Sequence, residues 1–199
     1  MDQMSPVPQQ ADPAATARLL RACAKLNLPG IRQALAEGAD VKAVDRVGRT
    51  VLEIVTENAF REHDRYDDCV DERTPDVVRI LLENGAAPDG SADDTTPLET
   101  FVHRSYPVSK LLVEHGAKVN FVADGEAIID HVLDEIAIYG DDTPVGIFRG
   151  YAKTLDLLVK HGAMTYEELQ EKRNRLCKKQ KKWRDPRGTT ARSNPCASC

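Results

Sequence analysis

Four stretches of this chain end the same way: paired or near-paired aliphatic residues, a few mostly polar ones, then Gly-Ala. Residues 31–40 close on Gly38-Ala39, residues 78–89 on Gly85-Ala86, residues 110–120 on Gly116-Ala117, and residues 155–163 on Gly162-Ala163. An amphipathic helix that stops this way needs a left-handed residue just past its end, a conformation glycine adopts without a Cβ clash. One such end constrains little. Four in 199 residues are an internal repeat, and a repeat limits the architecture before any single element is assigned.

The sequence around these ends reads as helical hairpins. The first unit starts near Thr16. Leu19, Leu20, Ala22, Cys23 and Leu26 give one apolar face, Asn27-Leu28-Pro29-Gly30 breaks it, and Ile31, Ala34 and Leu35 give a second helix. A connection with turn chemistry comes next, carrying Asp40, Asp45 and Gly48. The second unit opens at Thr50-Val51-Leu52-Glu53 and the third at Thr96-Pro97-Leu98-Glu99. In both, Thr caps the helix and the next residue takes the first helical position, where Pro lacks only an N–H that would be unpaired anyway. Ala127-Ile128-Ile129-Asp130, the fourth counterpart, keeps the aliphatics and loses the cap. Thr165-Tyr166-Glu167-Glu168 matches a capping box and predicts a helix to about Trp183. Its apolar positions are sparse (Tyr166, Leu169, Leu176), as suits a helix with one face on the last unit and the other in water.

Thr96-Pro97-Leu98 together with Leu111-Leu112-Val113-Glu114-His115-Gly116-Ala117 resembles the ankyrin repeat, whose signature T-P-L-H-x-A leads to a second helix ending Leu-Leu-x-x-Gly-Ala. The resemblance extends over residues 16–165. It departs at the family's His, where Leu20, Glu53, Glu99 and Asp130 stand. The fold it implies is an all-α, ankyrin-type helical-hairpin solenoid of about four units, at residues 16–44, 45–90, 91–121 and 122–165. Residues 166–184 read as a basic capping helix. The polar, Pro-rich residues 1–15 and the stretch 185–199 read as disordered.

The repeat is uneven. The four glycines are 47, 31 and 46 residues apart. The middle spacing approaches the ~33-residue ankyrin period, and the outer two exceed it by roughly 14. The excess falls at residues 57–74 and 134–151, between the two helices of their units, which predicts protrusions on one side of the stack. Ala59, Phe60, His63, Tyr66 and Val70 keep near-helical spacing, so the first insert is read as beginning in an extension of its helix.

No catalytic constellation, cofactor motif or metal site emerges, and the chain is read as a non-enzyme. The first insert gathers Glu62, His63, Asp64, Asp67, Asp68, Cys69, Asp71 and Glu72. It lacks the glycine and alternating oxygen ligands of an EF-hand and the spacing of a zinc site. A solvated acidic helix and turn accounts for it. The five cysteines are an odd, scattered set, against a disulfide framework. Cys196-Ala197-Ser198-Cys199 has the outline of a prenylation box or half a metal site, and equally that of an inert reduced tail. The residues from Met1 lack a secretory layout and no apolar run approaches a membrane span, which together suggest an intracellular, cytoplasmic protein.

The net charge of −5 conceals a division. Residues 170–199 hold ten Lys or Arg against two acids, a balance of +8 that leaves −13 on the rest. The basic segment includes Lys178, Lys179, Lys181, Lys182 and Arg184. Nucleic acid or an anionic membrane is a partner only through this segment, which carries one aromatic and no base-reading module. A solvated cap helix, basic toward its C-terminus, explains the same residues. Glu53, Glu99 and Asp130 share one slot in successive units. Either each bonds a backbone N–H of a neighbouring connection, or the row repels itself until a cation lies across it.

The resemblance implies a monomeric scaffold that binds another protein through connection tips and the exposed face of the first helices. Carried onto this chain, those positions are Arg46, Val47 and Arg49; Asp93 and Thr95; Phe121, Asp124 and Glu126; and His103, Arg104, Asp134 and Glu135. Phe121 reads equally as an anchor or as core between units. The acidic body predicts a basic partner. Two alternatives remain: a toxin-neutralising ankyrin protein, and an electrostatic tether in which the basic segment does the targeting.

Overall fold

Helix starts and stops are set by local chemistry repeated along the chain. A computed structural model describes residues 11–60, 70–91, 95–123, 125–139 and 145–184, with the backbone alone for residues 139, 145–149 and 176–184. The described residues are mostly helical: α1 Pro13–Cys23, α2 Leu28–Ala36, α3 Val51–Asn58, α4 Thr74–Glu83, α5 Pro97–Phe101, α6 Tyr106–Glu114, α7 Ile128–Tyr139, α8 Val145–Lys160 and α9 Tyr166–Arg184.

The four Gly-Ala ends adopt one geometry. Gly38, Gly85, Gly116 and Gly162 have φ of 86°, 90°, 92° and 78°. The alanine after each donates its N–H back five residues, to the carbonyls of Ala34, Leu81, Leu112 and Leu158, each at 3.0 Å. The glycine N–H reaches back three. These are Schellman ends, and they satisfy carbonyls a helix otherwise leaves open. The starts are equally local. Thr50 with Glu53, and Thr96 with Glu99, form complete capping boxes. Thr165 with Glu168 does the same at α9. Ala127 has no capping hydroxyl, yet its N–H still donates to Asp130 at 3.0 Å.

The helices pair and then stack. α1 packs on α2, α3 on α4, α5 on α6, and α7 on α8. Along the stack α1 meets α3 and α3 meets α5, while α2 meets α4, α4 meets α6 and α6 meets α8. Two rows result, one continuous hydrophobic core between them. Leu19, Ile31, Leu52, Val55, Val77, Leu81, Leu98, Phe101, Leu112, Ile128 and Leu158 are fully buried in it.

Several expectations change. The helical part begins at Pro13, inside the span read as disordered. The Asp12 carboxylate accepts the Ala14 N–H at 2.8 Å, Pro13 fits the first turn, and the Asp12 N–H donates to the Gly38 carbonyl at 3.0 Å. The all-α reading agrees with the mostly helical described residues, to which the connections add short ladders: β1 Val122–Ala123 pairs antiparallel with β2 Glu126–Ala127, and Val44 bridges Thr50. Two-residue strands leave no periodicity to read. α3 does not extend into the first insert. It ends at Asn58, Phe60 bridges Val70, and the Ala59 carbonyl accepts the Asp71 N–H at 2.8 Å. The Phe60 ring stacks on Phe101 with centroids 5.7 Å apart, which takes it out of helical register. Residues 61–69 and 140–144, where the inserts were expected to protrude, lie outside the described residues, as do residues 1–10 and 185–199. α9 packs through its first turn: Tyr166 and Leu169 lie against the core, and residues 171–175 are exposed.

Among the described residues, one buried side-chain group is left without a partner. The Thr74 hydroxyl, at the start of α4, is fully buried and makes no hydrogen bond. An unsatisfied buried hydroxyl is unfavourable. Thr74→Val keeps the branched shape and replaces the hydroxyl by a methyl. It is expected to be neutral or to stabilise by up to about 1 kcal/mol, measured as a rise in the urea midpoint with an unchanged slope.

Candidate functional site

The connection tips begin with Asp45. Its Oδ1 accepts the N–H groups of Val47 at 2.9 Å and Arg49 at 3.0 Å, and its Oδ2 takes the Arg49 Nε at 2.8 Å and Nη2 at 2.6 Å. The Arg49 hydrogen bonds hold the Asp45 carboxyl below its ordinary range despite the opposing desolvation. Gly48, at φ 90°, turns the tip. Arg49 also bonds Glu57. It is thereby committed within the chain, whereas Arg46 and Val47 project, Val47 being 74% exposed. Val44 beside them is exposed too. The tip before α7 repeats the form: Gly125 at φ 88° turns the β1–β2 hairpin, and Val122 and Glu126 are exposed.

Two pairs of adjacent connections are tied to one another through the fourth residue after Gly85 and after Gly116. Asp89 Oδ1 accepts the Lys118 N–H at 2.8 Å, with the Lys118 ammonium 3.7 Å from Oδ2. Asn120 accepts the Met164 N–H at 2.8 Å and donates to the Gly162 carbonyl at 3.0 Å. These bonds hold successive tips in register.

The row of acids is hydrogen-bonded. Glu53 accepts the Thr50 N–H at 2.6 Å on one oxygen, and the Ser91 N–H at 2.9 Å and hydroxyl on the other. Gly90 allows this approach: a Cβ there would sit 2.9 Å from the carboxylate. Asp130 takes the N–H groups of Ala127 at 3.0 Å and Tyr166 at 2.9 Å. Glu99 caps its own helix and lies 3.9 Å from His131 Nε2. Burial alone would raise the Glu53 carboxyl, but the bonds from Ser91 and Thr50 outweigh it and hold the carboxyl below its ordinary value.

That sign gives a pH dependence. The stabilisation from ionised Glu53 is complete above the unfolded value of ~4.3 and is lost as pH falls through the lower folded value. Glu53→Gln keeps the shape and removes the charge. It is expected to destabilise by about 1–2 kcal/mol at neutral pH. The gap from wild type, followed by urea denaturation, should narrow below about pH 4.

Of the other expected contact residues, Thr95, Arg104, Glu126 and Asp134 are exposed. His103 is half-buried, and Arg104 Nε donates to its Nε2 at 2.9 Å while the guanidinium covers the Phe60 ring at 4.7 Å. Glu135 accepts the Tyr151 hydroxyl at 3.3 Å. Phe121 is half-buried and packs against the core. Asp93 and Asp124 lie outside the described residues. α9 carries Lys178, Lys179, Lys181, Lys182 and Arg184 on its backbone, their side chains undescribed.

Sequence reading passed over His131. Its Nδ1 lies 3.4 Å from Glu126 and its Nε2 faces Glu99, joining α5, β2 and α7 on the tip side. No local pattern marks it, because Glu99 is on another helix.

Among the described residues, no group of three or more His, Cys, Asp or Glu is placed to hold a metal ion. No helix among them is long and apolar enough to cross a membrane. Cys23 is buried, and burial pushes its thiol up to about 12, where it is unreactive. No protein-family model matches the chain, and no curated protein matches it.

Proposed function

We propose that this chain is an ankyrin-type helical-hairpin solenoid, a non-catalytic scaffold that binds a basic protein across its connection tips and first helices. The Gly-Ala ends in one register, the capping boxes and the two helix rows support the ankyrin-type reading. The observation that carries the binding reading is Val47, 74% exposed on a braced hairpin tip with Val44 exposed beside it. Exposed apolar groups on a rigid support, rimmed by charge, suit a protein contact. Val122 repeats the feature at a later tip. A balance of −13 outside residues 170–199 selects a basic partner and makes association sensitive to salt.

The test is capture from the source cell's lysate at low and moderate salt, with the full chain, a chain ending at Trp183, and a Val47→Asp variant. Support requires one stoichiometric basic protein held by the first two and lost by the third. Capture of nucleic acid or membrane by the full chain alone, released by salt, overturns this reading in favour of a tether.

A further inference from the structure

The two ends of the helix stack differ in chemistry. At the first end, polar groups stand where later units place apolar ones. Arg18 takes the register position of Val51, Pro97 and Ile128. Gln33 takes that of Ile80, Leu111 and Leu157. Arg18, Arg21, Lys25 and Gln33 line a shallow groove there, and Glu37 bonds both Arg18 at 2.5 Å and Gln33 at 2.9 Å. That end is finished for water, as the outer face of a terminal repeat must be.

The last end is not finished. Three residues before the glycine, α4 carries Leu82 and α6 carries Val113, 5% and 4% exposed, each on a helix with another second-row helix after it. The same position on α8 is Val159, 58% exposed. In the first row, Val102 is 1% exposed, and its counterpart Leu133 on α7 is 39% exposed. Both rows leave exposed an apolar position whose counterparts are covered where the stack continues, fully at Leu82, Val113 and Val102 and partly at Leu35 and Thr56.

α9 does not supply the cover. Its first turn packs, and it then continues as one unbroken helix, Tyr166–Arg184, with residues 171–175 exposed. At about 1.5 Å per residue this is a rod of roughly 28 Å, and it cannot turn back without breaking.

We propose that a second copy of this chain covers the last end, in place of the monomer the sequence suggests. The polar first end is a poor surface for Val159 and Leu133, which disfavours head-to-tail stacking and the open filament it would build. Two last ends facing one another give a closed two-fold dimer. In it Val159 and Leu133 of each copy are covered by a like surface. Each projecting α9, with Lys172 and Arg173 exposed, reaches across the partner's acidic body, where Asp134 is exposed. Residues 170–199 balance +8 against −13 on the rest, so the pairing is attractive in both directions. The inference rests on the stacking order and charge alone and is independent of the tip-face reading.

Sedimentation equilibrium of the full chain across a broad concentration range tests it. Expected are a reversible dimer weakened by added salt, and a dissociation constant raised at least about tenfold by Val159→Asp or Leu133→Asp. Circular dichroism should be unchanged, since both sites are exposed. Arg18→Ala at the other end should leave the dimer intact. A wild-type chain that stays monomeric throughout overturns the proposal. So does a dimer that survives both Asp variants with wild-type affinity.

Discussion

Leu112→Ala is expected to lower the unfolding free energy by ~2–5 kcal/mol, as truncation of a fully buried leucine does. Leu112 is 0% exposed on α6, a second-row helix with a neighbour on each side, α4 and α8. Its carbonyl also receives the Ala117 N–H at 3.0 Å, the bond that ends the helix. A cavity here weakens two interfaces as well as its own pair, and in a stack those interface terms hold the pairs together. Urea denaturation should show a lower midpoint. A lower slope as well would mean that the pairs on either side no longer unfold together. A loss well below about 1 kcal/mol would show that Leu112 is not in the core.

Phe101→Ala should cost about 3–5 kcal/mol, the range for a buried phenylalanine. The ring is 1% exposed at the end of α5 and stacks on Phe60, their planes 28° apart. Phe60 in turn bridges Val70 and lies under the Arg104 guanidinium. The ring therefore joins the core to the neck of the first insert. The carbonyl of residue 101, which accepts from Ser105 and from the Ser109 hydroxyl, survives the substitution, so the loss measures the ring. A double-mutant cycle with Phe60→Ala should give a coupling of about 0.5–1.5 kcal/mol, read from denaturation of the four proteins. No coupling would mean that the stacked pair does not hold the neck.

The features legible in the sequence are those that depend on neighbours along the chain. Gly-Ala ends, capping boxes and the proline at the start of α5 each act within a few residues, and the sequence spells them out. The acid row was half legible: its slot was visible, but the Ser91 and Tyr166 N–H groups that satisfy Glu53 and Asp130 lie 38 and 36 residues away. The hairpins at the tips are too short to show alternation. Arg49 looked available for a partner because nothing local reveals that Asp45 and Glu57 both hold it. The exposure of Val159 is invisible in principle, since the residue matches its counterparts in type and differs only in that no further second-row helix among the described residues packs beyond it.

The bonds from Asp89 to Lys118 and from Asn120 to Gly162 and Met164 run between adjacent connections, and among the described residues the main contacts within each helix row are between adjacent helices. Nothing among these contacts ties the first pair to the last. Under tension along the stack such a molecule has no single latch to break. It would give way link by link, more like a zip than a clasp, and a pull on one end would be absorbed near that end while the far pairs kept their shape.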